Sequence, residues 1–181
     1  QRGPKADIVQ HARRNAEAAL SRKLAETDSQ ARLLDRLAET LALEERPARL
    51  EVYDNSHIQG ARPVGAMIVA GPEGFDKASY RKFNIRSQAA AKDDYAMMRE
   101  VIRRRFERAQ REDPDRAHGW RPDLVILDGG KGQLSAAREV MADLGVADLP
   151  TIAIAKGPER TRGEEIIHRV EQPPIELAPR D

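Results

Sequence analysis

The sequence predicts an α/β domain in which helices cover a mixed β-sheet. Three short apolar segments follow one another within residues 50–85, separated by turn residues, and this spacing indicates an antiparallel meander. Two later segments, residues 124–127 and 151–155, are continuous apolar runs of the kind buried on both faces of a sheet. Helical patterns precede and separate these two runs. The predicted sheet therefore begins with three antiparallel strands and continues with parallel strands, with flanking helices.

Composition restricts the class of protein. The chain has 181 residues, of which 40% are hydrophobic and 34% charged, which fits one domain with a core and an appended helical piece. It contains no cysteine, which excludes disulfides and thiolate metal sites and favours an intracellular protein. No apolar stretch approaches the length of a membrane span. The net charge is +1, so only local clusters of charge could indicate a nucleic-acid partner.

The N-terminal part has helical periodicity. Leucine and alanine recur on one face through residues 5–43, and Ser29 is a candidate N-cap within this stretch, so we expect a pair of helices. Residues 1–48 are therefore predicted to form a helical segment that packs on a core domain of residues 49–181.

The remaining elements are predicted from the spacing of apolar residues. They are strands at 50–53, 64–70 and 79–85, a helix at 93–111, a strand ending at Leu127, a helix at 132–144 and a strand at 151–155. The tail after residue 157 is polar and then rich in proline, and we predict no element there.

Two aspartates follow predicted strands. Asp54 comes after the first strand and Asp128 after the fourth. If these strands are parallel neighbours, the two carboxylates face each other, and their repulsion favours a cation between them. The alternative, in which each aspartate caps a turn or a helix, stays open. Asp93 and Asp94 open the next helix, where one can cap the helix while the other faces the sheet.

Basic residues cluster in three places. Lys131 lies in a Gly-Gly-Lys-Gly turn that lacks the full phosphate-loop template, although contact between Lys131, the helix amides and a phosphate is reasonable. Arg104, Arg108 and Arg111 share a stripe on the arginine-rich helix, and basic residues within 81–86 add further positive charge on the third strand. This stripe could follow a phosphate backbone or could be a solvated face with internal ion pairs.

Two further residues have open roles. Trp120 lies in a basic loop, where it could stack on a base or cover an edge of the core. His57 lies three residues beyond Asp54, where it could reach a metal or phosphate or could stabilise a turn.

Five short motifs occur together and in order. They are residues 53–60 (YDNSHIQG), 80–85 (YRKFNI), 93–98 (DDYAMM), 127–134 (LDGGKGQL) and 155–157 (AKG). In this combination the chain resembles, over nearly its whole length, the C-terminal endonuclease domain of UvrC, the incision subunit of bacterial nucleotide excision repair.

The resemblance implies a cytoplasmic enzyme with a ribonuclease H-like fold that cuts damaged double-stranded DNA on the 5′ side of a lesion, with UvrB as its partner protein. It implies that Asp54, Asp94 and Asp128 are the catalytic carboxylates. Such oxygen ligands suit Mg²⁺ or Mn²⁺. Lys131 and Lys156 are candidates for stabilising the negative charge of the phosphate.

The family also uses a histidine in a helix beyond the proline-rich segment. Because this sequence stops before that helix, we expect a piece of a longer protein, truncated before its last helix, that cuts DNA weakly or not at all. The alternative function is a catalytically incomplete fragment that binds DNA or protein.

Overall fold

The computed structural model describes residues 4–56, 63–87, 93–115, 119–157 and 165–177, with only the backbone described at 4–12 and 56. The chain divides into two compact units. The first unit is Gln1–Arg46 with Pro72–Gly74, and the second is Pro47–Gly71 with Phe75–Asp181.

The elements agree in large part with the predicted order. They are α1 (Pro4–Leu41), β1 (Leu50–Ser56), β2 (Val64–Gly71), β3 (Gly74–Phe75), a 3₁₀ helix (Lys77–Ser79), β4 (Arg81–Asn84), α2 (Asp94–Glu112), β5 (Leu124–Asp128), α3 (Lys131–Asp143), β6 (Thr151–Lys156), β7 (Glu165–Arg169) and β8 (Gln172–Glu176).

The first unit contains a single continuous helix, α1, so the prediction of two helices is wrong. No glycine or proline lies within residues 5–41, and nothing therefore interrupts the backbone hydrogen bonds. Ser29 lies inside the helix with its side chain exposed to solvent, where it caps nothing. Although α1 is long, no helix among the described residues combines the length and the apolar character that crossing a bilayer requires.

The second unit is built on a mixed sheet in the order β2-β1-β5-β6-β7-β8, with β4 also pairing with β2. The pairs β1–β2 and β2–β4 are antiparallel, whereas β1–β5 and β5–β6 are parallel. The predicted change from an antiparallel meander to parallel strands is therefore confirmed.

Two parts of the second unit differ from the prediction. The strand predicted at 79–85 is shortened to β4, because Asp76 accepts a hydrogen bond from Ala78 N and caps the 3₁₀ helix before it. The polar tail contains β7 and β8, which extend the sheet antiparallel to β6. Pro173 and Pro174 fit in β8 because it is the last strand in the order, and proline is tolerated at a sheet edge.

The core of the second unit lies between α2, α3 and one face of the sheet. With few aromatic residues available, it is filled mainly by methionine and aliphatic side chains, including Met97, Met98, Leu127 and Met141 around Phe106. Burial of these side chains is the main favourable contribution to folding, at about 25 cal/mol per Å² of apolar surface.

A buried ion pair joins β1 to α2. The Glu51 side chain is fully buried, and Arg105 Nη2 donates to its Oε1 at 2.5 Å while Arg49 Nη2 donates to the same oxygen at 2.9 Å. Tyr53 Oη donates to Glu51 Oε2 at 2.6 Å. Arg105 also donates to the Trp120 carbonyl and lies over the Trp120 ring. Burial, and then the Glu51 charge, raises the pKa of Tyr53, so this hydroxyl stays a donor.

We predict that Glu51→Gln lowers the free energy of unfolding by about 3–5 kcal/mol, because it leaves the Arg105 charge buried without its counter-ion. Urea unfolding at neutral pH measures the effect. The matched control is Glu112→Gln on α2, the helix that carries Arg105. It removes an exposed ion pair with Arg108 and should change the free energy of unfolding by about 0–1 kcal/mol. Equal effects of the two substitutions would contradict the assigned role of Glu51.

Candidate active site

Asp54 and Asp128 lie on neighbouring parallel strands. Tyr53 is the register partner of Leu127 in the β1–β5 pair, so Asp54 and Asp128 follow next to each other at the same edge of the sheet. The predicted juxtaposition is confirmed. Asp54 is not at the end of its strand, however, because β1 continues to Ser56 through its pairing with β2.

The two carboxylates repel each other. The pKa of Asp54 is raised, first because partial burial disfavours its charged form and second because the Asp128 carboxylate is near. Because the folded-state pKa is the higher one, the ionised form of Asp54 opposes folding as the pH rises above the ordinary carboxyl range. A cation held by both carboxylates would remove this penalty.

The start of α2 is fixed beside β1. Asp93 is the N-cap, and its side chain accepts a hydrogen bond from Tyr95 N at 2.9 Å. Asp94 is the first residue of the helix, and its carbonyl accepts a hydrogen bond from Asn55 Nδ2 at 3.3 Å. Asp93 therefore takes the capping role, while the backbone of Asp94 lies against the strand that carries Asp54.

The Gly-Gly-Lys-Gly turn joins β5 to α3 and contacts the start of α2. Gly129 has a φ of +152°, which a residue with a side chain rarely adopts. Gly130 N donates to Gln133 Oε1 at 3.0 Å across the first turn of α3. A Cβ on Gly132 would lie 2.6 Å from the Tyr95 ring, so glycine at this position allows the two helix starts to approach.

The donor set fits a hard divalent cation. Aspartate oxygens suit Mg²⁺ or Mn²⁺, and Mg²⁺ is often held by one or two carboxylates together with waters and substrate phosphates. Asp54 and Asp128 supply such a pair. Within the described residues no three His, Cys, Asp or Glu side chains are grouped closely enough to hold a metal.

The predicted phosphate-contacting residues fall in two groups. Lys131 is the first residue of α3 and Lys156 the last residue of β6, and both side chains are exposed near the carboxyl ends of the parallel strands. Arg108 pairs with Glu112, and Arg104 pairs with Glu100 and donates to the Asn84 carbonyl. The arginine stripe therefore contains the internal ion pairs that one of the two interpretations expected.

Trp120 has a structural role. Its ring meets Phe106 edge-on at 6.3 Å, and its Nε1 donates to the Asp113 carbonyl at 3.2 Å. It therefore covers an edge of the core. His57 lies outside the described residues.

Sequence reasoning missed Asn55 and Tyr95 as positioning residues. Asn55 follows Asp54 directly, and its spacing from Tyr53 by two residues could have placed it on the face of β1 that meets α2. No comparable signal relates Tyr95 to Gly132, because their contact joins distant parts of the chain.

A family model described as "UvrC RNAse H endonuclease domain" matches residues 38–181. The chain belongs to this family. The UvrABC system protein C of Cereibacter sphaeroides is 54% identical over 182 residues, covering 100% of this chain and 29% of that protein. Its counterpart in Novosphingobium aromaticivorans is 56% identical over 169 residues, covering 93% of this chain and 26% of that protein. The chain thus spans under a third of the length of these curated UvrC relatives.

Solved structures give only weak likenesses to this UvrC-family chain. Endonuclease V from Ciona intestinalis, in complex with DNA containing inosine, aligns with a TM-score of 0.42 and 15% identity, over 75% of this chain and 58% of that one. The catalytic domain of human endonuclease V aligns with a TM-score of 0.41 and 16% identity, over 69% of this chain and 57% of that one.

We predict that Gly129→Ala lowers the free energy of unfolding by about 2 kcal/mol, because alanine is strained at this φ and its Cβ would meet the Gln133 side chain at 2.7 Å. Gly130→Ala is the matched control in the same turn. Its φ is −98° and its Cβ would meet only Gln133 Oε1, at 4.0 Å. We expect it to cost less than about 1 kcal/mol. Urea unfolding compares the two, and equal losses would contradict the strained geometry at Gly129.

Proposed function

We propose that this chain is a divalent-metal-dependent endodeoxyribonuclease domain of nucleotide excision repair that makes the incision 5′ of a lesion in damaged double-stranded DNA. The observation that carries the proposal is the pairing of Asp54 and Asp128 on adjacent parallel strands. The name of the curated relatives, UvrABC system protein C, supports the repair context, and it supports UvrB as a partner.

The catalytic assignment uses three carboxylates. Asp54 and Asp128 would hold the cation, Mg²⁺ or Mn²⁺, and Asp94, the first residue of α2, would be the third carboxylate ligand. When bound, such a cation supplies activation of water and stabilisation of the leaving 3′ oxygen for in-line displacement at phosphorus. The position of the start of α2 supports this assignment, because the hydrogen bond from Asn55 Nδ2 to the Asp94 carbonyl holds the Asp94 backbone beside β1.

Lys131, Lys156 and the start of α3 are the proposed contacts of the scissile phosphate. Lys131 and Lys156 neutralise charge on the scissile phosphate. The amides at the start of α3 add a favourable dipole for the same phosphate, since helix N-termini bind anions. The exposure of both lysines near the carboxyl ends of the parallel strands supports these roles.

A second candidate function is binding of DNA without incision. It is favoured by the absence, among the described residues, of a preformed group of three metal-ligating side chains. The two functions differ in one observable, because only the first gives nicks that require Mg²⁺ or Mn²⁺.

We predict that Asp128→Asn lowers the rate of metal-dependent nicking by at least about 100-fold, since loss of a ligand should cost no less than loss of its supporting contacts. The fold should stay intact, because the substitution removes repulsion on Asp54 and leaves no cavity. The measurement is nicking of damaged duplex DNA with Mg²⁺ or Mn²⁺ and the UvrB partner, by the chain joined to the remaining parts of a UvrC relative.

The control for this experiment is Asp115→Asn, an exposed aspartate in the loop after α2, which should nick at the unmodified rate. Normal nicking by Asp128→Asn would exclude Asp128 as a ligand. Absence of nicking by the unmodified protein, with DNA binding retained, would favour the second candidate function.

A further inference from the structure

A cationic groove of about 610 Å³ lies between β4 and α2. Among the described residues, eight lysine or arginine side chains and two glutamates line this β4–α2 groove, together with the apolar Phe83 and Trp120. The excess of positive charge is local, because the whole chain carries a net charge of only +1. Such a concentration of cations attracts an anionic partner.

Part of this charge is neutralised within the protein. The pairs are Arg49 and Arg105 with Glu51, Arg104 with Glu100 and Arg108 with Glu112. The other lining glutamate, Glu107, lies 3.9 Å from Arg103. Both lining carboxylates are thus engaged by arginines, and neither is left to neutralise the remaining cations.

Four lining cations pair with no carboxylate among the described residues, and one of them, Arg81, donates instead to the Ala78 and Tyr80 carbonyls. Lys82, Arg86 and Arg111 are the cations that remain for a ligand. All three are exposed at the groove, and their side chains pair with no carboxylate in the described ranges of the chain. Lys82 and Arg86 lie on and just after β4, and Arg111 lies in the last turn of α2, so positive charge is present on both walls. Two charged walls suit an extended polyanion better than a single compact phosphate.

The register of the sheet relates this groove to the candidate active site. Asp54 pairs with Ala66 across β1 and β2, and Ala66 pairs with Lys82 across β2 and β4. Two inter-strand spacings place the backbones of Asp54 and Lys82 about 10 Å apart. This separation is about three rises of roughly 3.4 Å along one strand of duplex DNA.

We propose that the β4–α2 groove binds the phosphate backbone of the DNA a few nucleotides from the phosphate to be cut, with Lys82, Arg86 and Arg111 as its contacts. The inference rests on the proposed function, which supplies DNA as the substrate. It adds a binding surface separate from the aspartates, formed by the edge strand β4 and the far end of α2. Backbone contacts of this kind position the DNA and are insensitive to its sequence.

The experiment measures binding of a fluorescent damaged duplex by anisotropy, without divalent metal, over about 50–200 mM salt. The variant is Lys82→Ala/Arg86→Ala/Arg111→Ala on the full chain. Since each lost phosphate contact removes about 0.9 from the slope of log affinity against log salt, the slope should fall by about 2 to 3. The matched control removes three exposed arginines of α1, as Arg14→Ala/Arg22→Ala/Arg32→Ala, and should keep the slope.

Thermal unfolding of both triple variants checks that they fold. If the groove triple variant does not fold, the salt slope is measured instead on the three single variants Lys82→Ala, Arg86→Ala and Arg111→Ala. An unchanged salt slope in the groove variants, or an equal fall in the control, would overturn the proposal. The result is independent of the proposed chemistry, because binding is measured without divalent metal. If the groove variants lower the salt slope but the unmodified protein shows no metal-dependent nicking, the DNA-binding surface is supported and the proposed nuclease activity is rejected.

Discussion

The buried Glu51–Arg105 ion pair is the interaction on which the arrangement of the second unit depends. A buried carboxylate is costly unless it is paired and hydrogen-bonded. Glu51 is paired with Arg105 and Arg49 and accepts a hydrogen bond from Tyr53. The pair joins β1, which carries Asp54, to α2, which begins with Asp94. Arg105 also donates a hydrogen bond to the carbonyl of Trp120, which lines the β4–α2 groove. The orientation of α2 thus affects both the aspartate edge and the groove.

The start of α2 is held by a hydrogen bond and by close packing. Asn55 donates to the Asp94 carbonyl, and the missing side chain of Gly132 leaves room for the Tyr95 ring. The start of α2 is therefore held from β1 and from α3. Asp54 and Asp128 lie beside this junction. Partial burial, and then the nearby Asp128 carboxylate, raises the pKa of Asp54, so the protein keeps an unfavourable interaction that a cation would relieve.

The positions of β1 and β5 could be predicted from the sequence, because apolar runs indicate buried strands without knowledge of distant contacts. Their parallel pairing was assumed for the prediction of the Asp54–Asp128 pair, with support from the family resemblance, and the structure confirms it. The break predicted in α1 was wrong because a capping residue was given more weight than the absence of glycine and proline. β7 and β8 were missed because the tail is polar and rich in proline, which β8 tolerates as the last strand of the sheet. The role of Glu51 could not be predicted, because α2 contains several arginines and only tertiary packing shows that Arg105 is the partner of Glu51.

Diffraction at the manganese absorption edge, from crystals of the chain grown with Mn²⁺ and duplex DNA, would locate the cation proposed between Asp54 and Asp128. We expect an anomalous peak between these two carboxylates, with the Asp94 side chain turned towards it. An occupied manganese site elsewhere on the protein, with no peak at this edge of the sheet, would contradict this proposal.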